Sequence, residues 1–184
     1  MVTSAEIVFY VAGITGLPTA TVYAVKRRLI ESGDWPSSRG AHVPKLTLRH
    51  VALMILALLA DVKAADAAAA ANAYYALTDA DGAKLGDVLV DILDSMKDES
   101  SPLAQIGYKS RLEVDSGKPR ACLTTQCTDG HAQTLYGVQR EQWDDLSVRS
   151  STTISGKCLY DLARGYHWNL WPKDVGKRGA SHAS

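Results

Sequence analysis

Ten consecutive residues without one polar side chain, VALMILALLA at Val51–Ala60, set the first constraint on this chain. A helix that is apolar on every side has to be covered on every side. A run of this length is too short to cross a hydrocarbon core of about 30 Å, so the covering is protein and not lipid. Thr47 is placed to cap the helix, which is read as TLRHVALMILALLADV. The residues before it can cover one face. The other face belongs to the helices that follow or to a second copy of the chain, and the run alone leaves both open.

The N-terminal residues read as two helices joined by a tight turn. Thr3-Ser4-Ala5-Glu6 fits a capping box, a hydroxyl followed three residues later by a carboxylate. The helix it opens carries Ile7, Val8, Val11 and Ile14 at helical spacing. Thr15-Gly16-Leu17-Pro18 reads as a turn, because glycine tolerates positive φ and proline disfavours helix at the residue before it. Thr19 is the expected N-cap of a second helix, which runs to about Ser32 before Gly33. On a wheel of about 100° per residue, Val22, Val25 and Leu29 fall on one side of that helix. Ala20, Tyr23, Ala24 and Arg27 fall opposite, with Thr21 and Arg28 on one flank and Thr19 and Lys26 on the other. Two helices around a short glycine-containing turn make a helix-turn-helix, whose second helix enters the DNA major groove. Small residues allow close approach, an arginine reaches guanine O6 and N7, and flanking cations and hydroxyls hold phosphates.

The run TGLPTATVYAVKRRLIESGDW resembles the recognition-helix segment of bacterial winged helix-turn-helix regulators. There a T-G-L-P-x-x-T-V-Y run precedes a basic helix that ends in E-x-G. More broadly, the chain is similar to small DNA-binding proteins of bacteriophages and prophages. The resemblance covers about thirty residues. It implies that Gly16 is the turn glycine, that Val22, Val25 and Leu29 are core, and that Tyr23 and Arg27 face DNA. Family wings form a β-hairpin. Here the corresponding segment, residues 37–45, is short and bounded by proline, leaving Arg39, Lys45 and Arg49 to touch the DNA backbone. The expected DNA-contacting set is therefore Thr19, Ala20, Thr21, Tyr23, Ala24, Lys26, Arg27, Arg28, Arg39, Lys45 and Arg49.

Formal net charge is zero, which by itself argues against a nucleic-acid binder. The distribution is uneven. Residues 1–60 carry six cations against three acids, a net of +3; residues 61–100 carry three against nine, a net of −6; the rest carries eleven against eight, a net of +3. DNA contact belongs at the basic ends, and the acidic middle faces away. Three cysteines, Cys122, Cys127 and Cys158, do not make a disulfide framework. The N-terminus MVTSAE has no basic signal region, and a cytoplasmic protein of a bacterial host cell with no membrane association is expected.

The alanine-rich stretch after the apolar run reads as helix to about Leu77. Asp79-Ala80-Asp81-Gly82 ends it. That tetrapeptide fails as a calcium loop, since positions 6 and 12 counted from Asp79 are Lys84 and Val90, not glycine and glutamate. Leu85, Val88, Leu89, Ile92, Leu93 and Met96 form an amphipathic stripe, and Ser100-Ser101-Pro102 reads as a boundary. Beyond it, Leu112/Val114 and Ala121/Leu123 alternate around residues 115–119, a β-hairpin. Thr128-Asp129-Gly130 is a second turn and Gln133–Val138 a third strand. Thr152-Thr153-Ile154-Ser155 is expected to start a helix with Leu159 and Leu162 inward, and Trp168 and Trp171 to pack its end down. Cys127 with His131, Cys122 and Cys158 lacks the tight paired spacing of zinc sites, and no third group orients a Cys127–His131 pair for catalysis. No Gly-rich phosphate loop occurs. No metal, no cofactor and no enzyme activity are expected.

The expected fold is α+β: a helix-turn-helix DNA-binding domain at residues 1–60, a helical oligomerisation segment at 61–100, a small α/β domain at 101–175 built as a β-hairpin plus helix, and a flexible tail at 176–184. The expected function is sequence-specific binding of double-stranded DNA by a phage or prophage transcriptional regulator. It would act as a homo-oligomer reading paired half-sites, with a protein partner contacted through the C-terminal part. The alternative is a small terminase subunit recognising phage DNA for packaging, which needs the same motif.

Overall fold

The computed structural model describes residues 4–37, 45–116, 118–127, 130–138, 143 and 150–168. Among them are seven helices and a four-stranded antiparallel sheet, an α+β fold. In chain order these are α1 (Ser4–Thr15), α2 (Thr19–Glu31), α3 (Leu48–Leu59), α4 (Ala67–Tyr75), α5 (Leu85–Ser95), α6 (Pro102–Tyr108), β1 (Arg111–Asp115), β2 (Ala121–Cys127), β3 (Gly130–Tyr136), β4 (Ser151–Ser155) and α7 (Gly156–Trp168).

The apolar run becomes the centre of the molecule. Ala52, Leu53, Met54, Ile55, Leu56 and Ala57 are all buried, with α2, α4, α5 and β4 packed around α3. Of the two coverings left open by the sequence, the chain supplies its own, and only Leu58 is left half-buried. Each such aliphatic side chain contributes about 1.5–3 kcal/mol on burial, so this helix anchors the core. Thr47 starts it as expected, with a variation: its N–H donates to Nδ1 of His50, 2.9 Å away, an imidazole where a capping box usually has a carboxamide or carboxylate.

Several local expectations are corrected. Thr19 is the first helical residue of α2 and not its cap. Pro18 precedes the helix with φ −56°, and its carbonyl accepts the N–H of Thr21 (2.9 Å) and of Val22 (3.3 Å). A proline ring already holds the φ that helix entry needs. The alanine-rich segment opens with a single 3₁₀ turn, Ala64–Asp66, and the α-helix proper begins only at Ala67. Asp79 closes its own turn: Oδ1 accepts the N–H of Asp81 and of Ala83, at 3.0 and 2.8 Å.

The largest correction falls at residues 152–155. They form β4, which pairs antiparallel with β1 (Leu112 opposite Ile154, Val114 opposite Thr152) and completes a sheet of order β3-β2-β1-β4. Thr152, Thr153 and Ile154 are β-branched, which favours the strand. The helix starts one residue later, at Gly156, whose N–H donates to the Ser110 carbonyl at 2.7 Å. A Cβ on Gly156 would lie 2.1 Å from the Gly107 carbonyl oxygen, so only glycine lets the chain turn out of the sheet so close to the end of α6. The expected hairpin is present, with Leu112 opposite Leu123 and Val114 opposite Ala121. Inside the sheet Asp115 is buried and paired with Arg120. The expected packing of Trp168 and Trp171, the segment around Arg39 and the tail lie outside the described side chains.

α1 is tied to the other end of the chain. The Tyr10 hydroxyl donates to the Asp161 carbonyl of α7, and the Cys158 thiol approaches the Ile14 carbonyl at 3.8 Å. Tyr166 likewise donates to the Leu46 carbonyl ahead of α3, at 3.0 Å. The buried side chains form one cluster that runs from Ile7 to Ala163.

Candidate nucleic-acid interface

α1 and α2 are joined by three residues. Gly16 takes φ +71°, and its N–H bonds back to the Ala12 carbonyl at 2.9 Å. The Thr15 hydroxyl donates to the Val11 carbonyl at 2.6 Å and closes the last turn of α1. At the far end of α2, Gly33 takes φ +86° and the Trp35 N–H returns to the Leu29 carbonyl at 2.9 Å. The Trp35 ring is buried with its centroid 5.9 Å from the His50 ring on α3. Asp34 accepts from the Ser32 hydroxyl and from the Asn72 amide of α4, each at 2.7 Å. Both ends of α2 are thus fixed to the rest of the molecule.

Between them the two faces of α2 separate cleanly. Val22, Val25 and Leu29 are buried. Ala20, Thr21, Tyr23, Arg27 and Arg28 are exposed, and Thr19, Ala24 and Lys26 are half-buried. The Arg27 side chain is 80% accessible, while that of Arg28 is 46% accessible. Lys26 lies with its ammonium 5.5 Å from the Tyr23 ring centroid, and burial holds its pKa below the ordinary lysine value.

Two residues absent from the expected set belong to this surface. Glu31 binds both arginines: Arg27 Nε donates to Oε1 at 2.9 Å and Arg28 Nη1 to Oε2 at 2.7 Å. Those two hydrogen bonds hold the Glu31 carboxyl below the usual range. The i, i+4 and i, i+3 spacing was there to find it. Phe9 of α1 is 51% exposed and meets Tyr23 edge to face, centroids 6.0 Å apart. Its signal was its place off the apolar stripe Ile7, Val8, Val11 and Ile14.

The remaining candidates lie elsewhere. Lys45 is exposed on the segment before α3. Arg49, in the first turn of α3, sets its guanidinium 4.4 Å from the Tyr75 ring centroid of α4. Arg39 falls outside the described residues. The structure therefore gathers eight of the expected residues, Thr19 to Arg28, on one helix and places Arg49 on α3 and Lys45 on the segment before it.

Among the described residues no group of three or more His, Cys, Asp or Glu side chains is arranged to hold a metal ion, and no helix is long and apolar enough to cross a membrane. Burial pushes the Cys158 thiol up to about 11, which leaves it protonated and unreactive at neutral pH. Compared with known proteins, the chain matches no family model, no curated protein and no solved structure.

Proposed function

We propose that the protein binds double-stranded DNA sequence-specifically through the exposed face of α2. On this reading it is a phage- or prophage-type transcriptional regulator that acts as an oligomer. The observation that carries the proposal is the arrangement on α2. Small residues, Ala20 and Thr21, lie beside Tyr23 and two arginines on a helix whose opposite face is buried and whose ends are both anchored. A major groove about 12 Å wide admits such a helix. Arg27 reads a base edge, while Lys26, Arg28, Lys45 and Arg49 neutralise phosphates. Glu31 acts as an internal counter-ion. It binds both guanidiniums in the free protein and yields them to the more highly charged DNA.

The test is selection of bound duplexes from a random pool, followed by titration of the winning site and of an unrelated duplex. Arg27→Ala is expected to weaken the selected site by about 1–3 kcal/mol and the unrelated duplex much less. Failure of the wild-type protein to enrich any sequence refutes the proposal. The mass of the free protein in solution separates a dimeric regulator from a ring-forming DNA-packaging subunit, since the α2 face serves either.

A further inference from the structure

A cavity of about 490 Å³, partly open to solvent, lies where the ends of α1 and α3 meet β4 and α7. Protein interiors are normally close-packed, with few voids larger than a water molecule. A hollow this large falls in the size range of small-molecule sites, which are mostly apolar with a few polar groups at fixed positions. Its walls have that composition. α1 and the turn contribute Val11, Ile14 and Leu17. α3 contributes Ile55, Leu58 and Leu59, and Ile154 and Leu162 close the far side.

The polar lining decides what can enter. Among the described lining residues there is no lysine, arginine or histidine to compensate an anion. The Thr15 hydroxyl is engaged with the Val11 carbonyl, the Ser155 hydroxyl accepts the Cys158 N–H at 3.3 Å, the Cys158 thiol is neutral, and Thr152 and Thr153 of β4 add uncharged polar groups to the wall. Among the described lining residues Asp61, which is exposed to solvent, is the one acidic side chain. It sits just past the end of α3 at φ +48°, the left-handed region that few non-glycine residues adopt, and this backbone turn places it on the lining.

We infer that this cavity binds a small, mainly apolar molecule bearing an amine, with its hydrocarbon part among the α1, α3 and α7 side chains and its ammonium against the Asp61 carboxylate. Charge complementarity chooses the amine over an acid, and the enclosing walls choose a compact molecule over a flat protein surface. Ile14 and Leu17 flank Gly16, so the occupant touches the joint between α1 and α2. An effect on DNA binding rests on the reading above; occupancy of the cavity does not.

The test is titration of the full-length protein with phenylbutylamine, phenylbutanol and phenylbutanoate, followed by isoleucine methyl NMR. The expected result is that the amine shifts the methyls of Ile14, Ile55 and Ile154 with a Kd at or below about 1 mM. The alcohol should bind roughly threefold more weakly, as the loss of a partly exposed ion pair implies, and the acid more weakly still. Asp61→Asn keeps a residue that tolerates left-handed backbone. It should bring amine and alcohol to equal affinity while leaving the alcohol unchanged. Leu58→Trp, at a half-buried position on the wall, should abolish binding of all three. Three results overturn the inference: no methyl shift with any probe at about 1 mM, an amine preference that survives Asp61→Asn, or the same methyls shifting with protein concentration alone, which would assign the cavity to a second copy of the chain.

Discussion

Gly86→Ala is the substitution whose effect follows most directly from the packing. Gly86 lies in the first turn of α5 beneath the ring of Tyr75 from α4. A Cβ built there would stand 2.2 Å from both Cγ and Cδ2 of that ring, which real contacts do not allow. The ring must move, and it is held on two sides. Its hydroxyl donates to Asp87 Oδ1 at 2.8 Å, and the Arg49 guanidinium covers its face. Overpacking costs about 1–3 kcal/mol, and a hydrogen bond to a charged group lost on displacement costs about 1.5–3 more. Against this, alanine gains up to about 1 kcal/mol over glycine in a helix. The net is a destabilisation of about 1.5–6 kcal/mol, which lowers the Tm by roughly 3–24 °C in a chain of this size. Urea unfolding and calorimetry read it. In a Tyr75→Ala background the clash is gone and only the helix term remains, so the same Gly86→Ala change should become neutral or stabilising. A wild-type-like Gly86→Ala protein, or equal effects in the two backgrounds, would refute the packing argument. Because Tyr75 also seats Arg49, Gly86→Ala should weaken DNA binding even at temperatures where the protein is folded.

The other expectations address charge, core and pH. Each cation that neutralises a phosphate adds about −0.9 to the slope of log K against log salt, so a dimer using about four per copy shows a slope of roughly −6 to −8; Lys45→Ala reduces it by about one per copy, and a salt-independent affinity would remove α2 and its neighbours from the interface. Glu31→Gln frees Arg27 and Arg28, and filter binding should show tighter association with all duplexes alike; unchanged affinity would mean that neither guanidinium leaves Glu31. Leu56→Ala, in the middle of α3, should cost about 2–5 kcal/mol in urea unfolding, and a loss below about 1 would show that the site collapses around the change. Burial raises Cys158 from 9.0 to about 11 and Tyr10 and Tyr136 from 10.0 to about 12. The unfolded chain therefore releases these protons first as pH rises. The stability contributed by these three groups is complete below about pH 9 and falls between about pH 9 and 12, and Cys158→Ala should remove the earliest part of that fall.

What the sequence determined by itself is the set of local choices. Periodicity placed Val22, Val25 and Leu29 on one side of α2 and the arginines on the other, because a 3.6-residue repeat fixes which residues share a face whatever lies opposite. Glycine and proline marked the turn at Gly16-Leu17-Pro18, because backbone preference is a property of the residue and its neighbours. The alternation in Leu112/Val114 and Ala121/Leu123 made a hairpin legible for the same reason. The tertiary structure decided what each face meets. An all-apolar helix requires cover, but the requirement does not say whether α2, α4 and α5 or a second copy provides it; here the chain's own helices do. The residues of β4 carry both a strand preference and a place just before a helix. Only pairing with β1, some forty residues earlier in the chain, settles them as a strand. The site follows the same division. The exposed face of α2 was readable from its wheel. The seating of Arg49 on Tyr75 joins α3 to α4, the meeting of Phe9 with Tyr23 joins α1 to α2, and the cavity beside Asp61 joins four elements. All three depend on distances between segments, which no local repeat encodes.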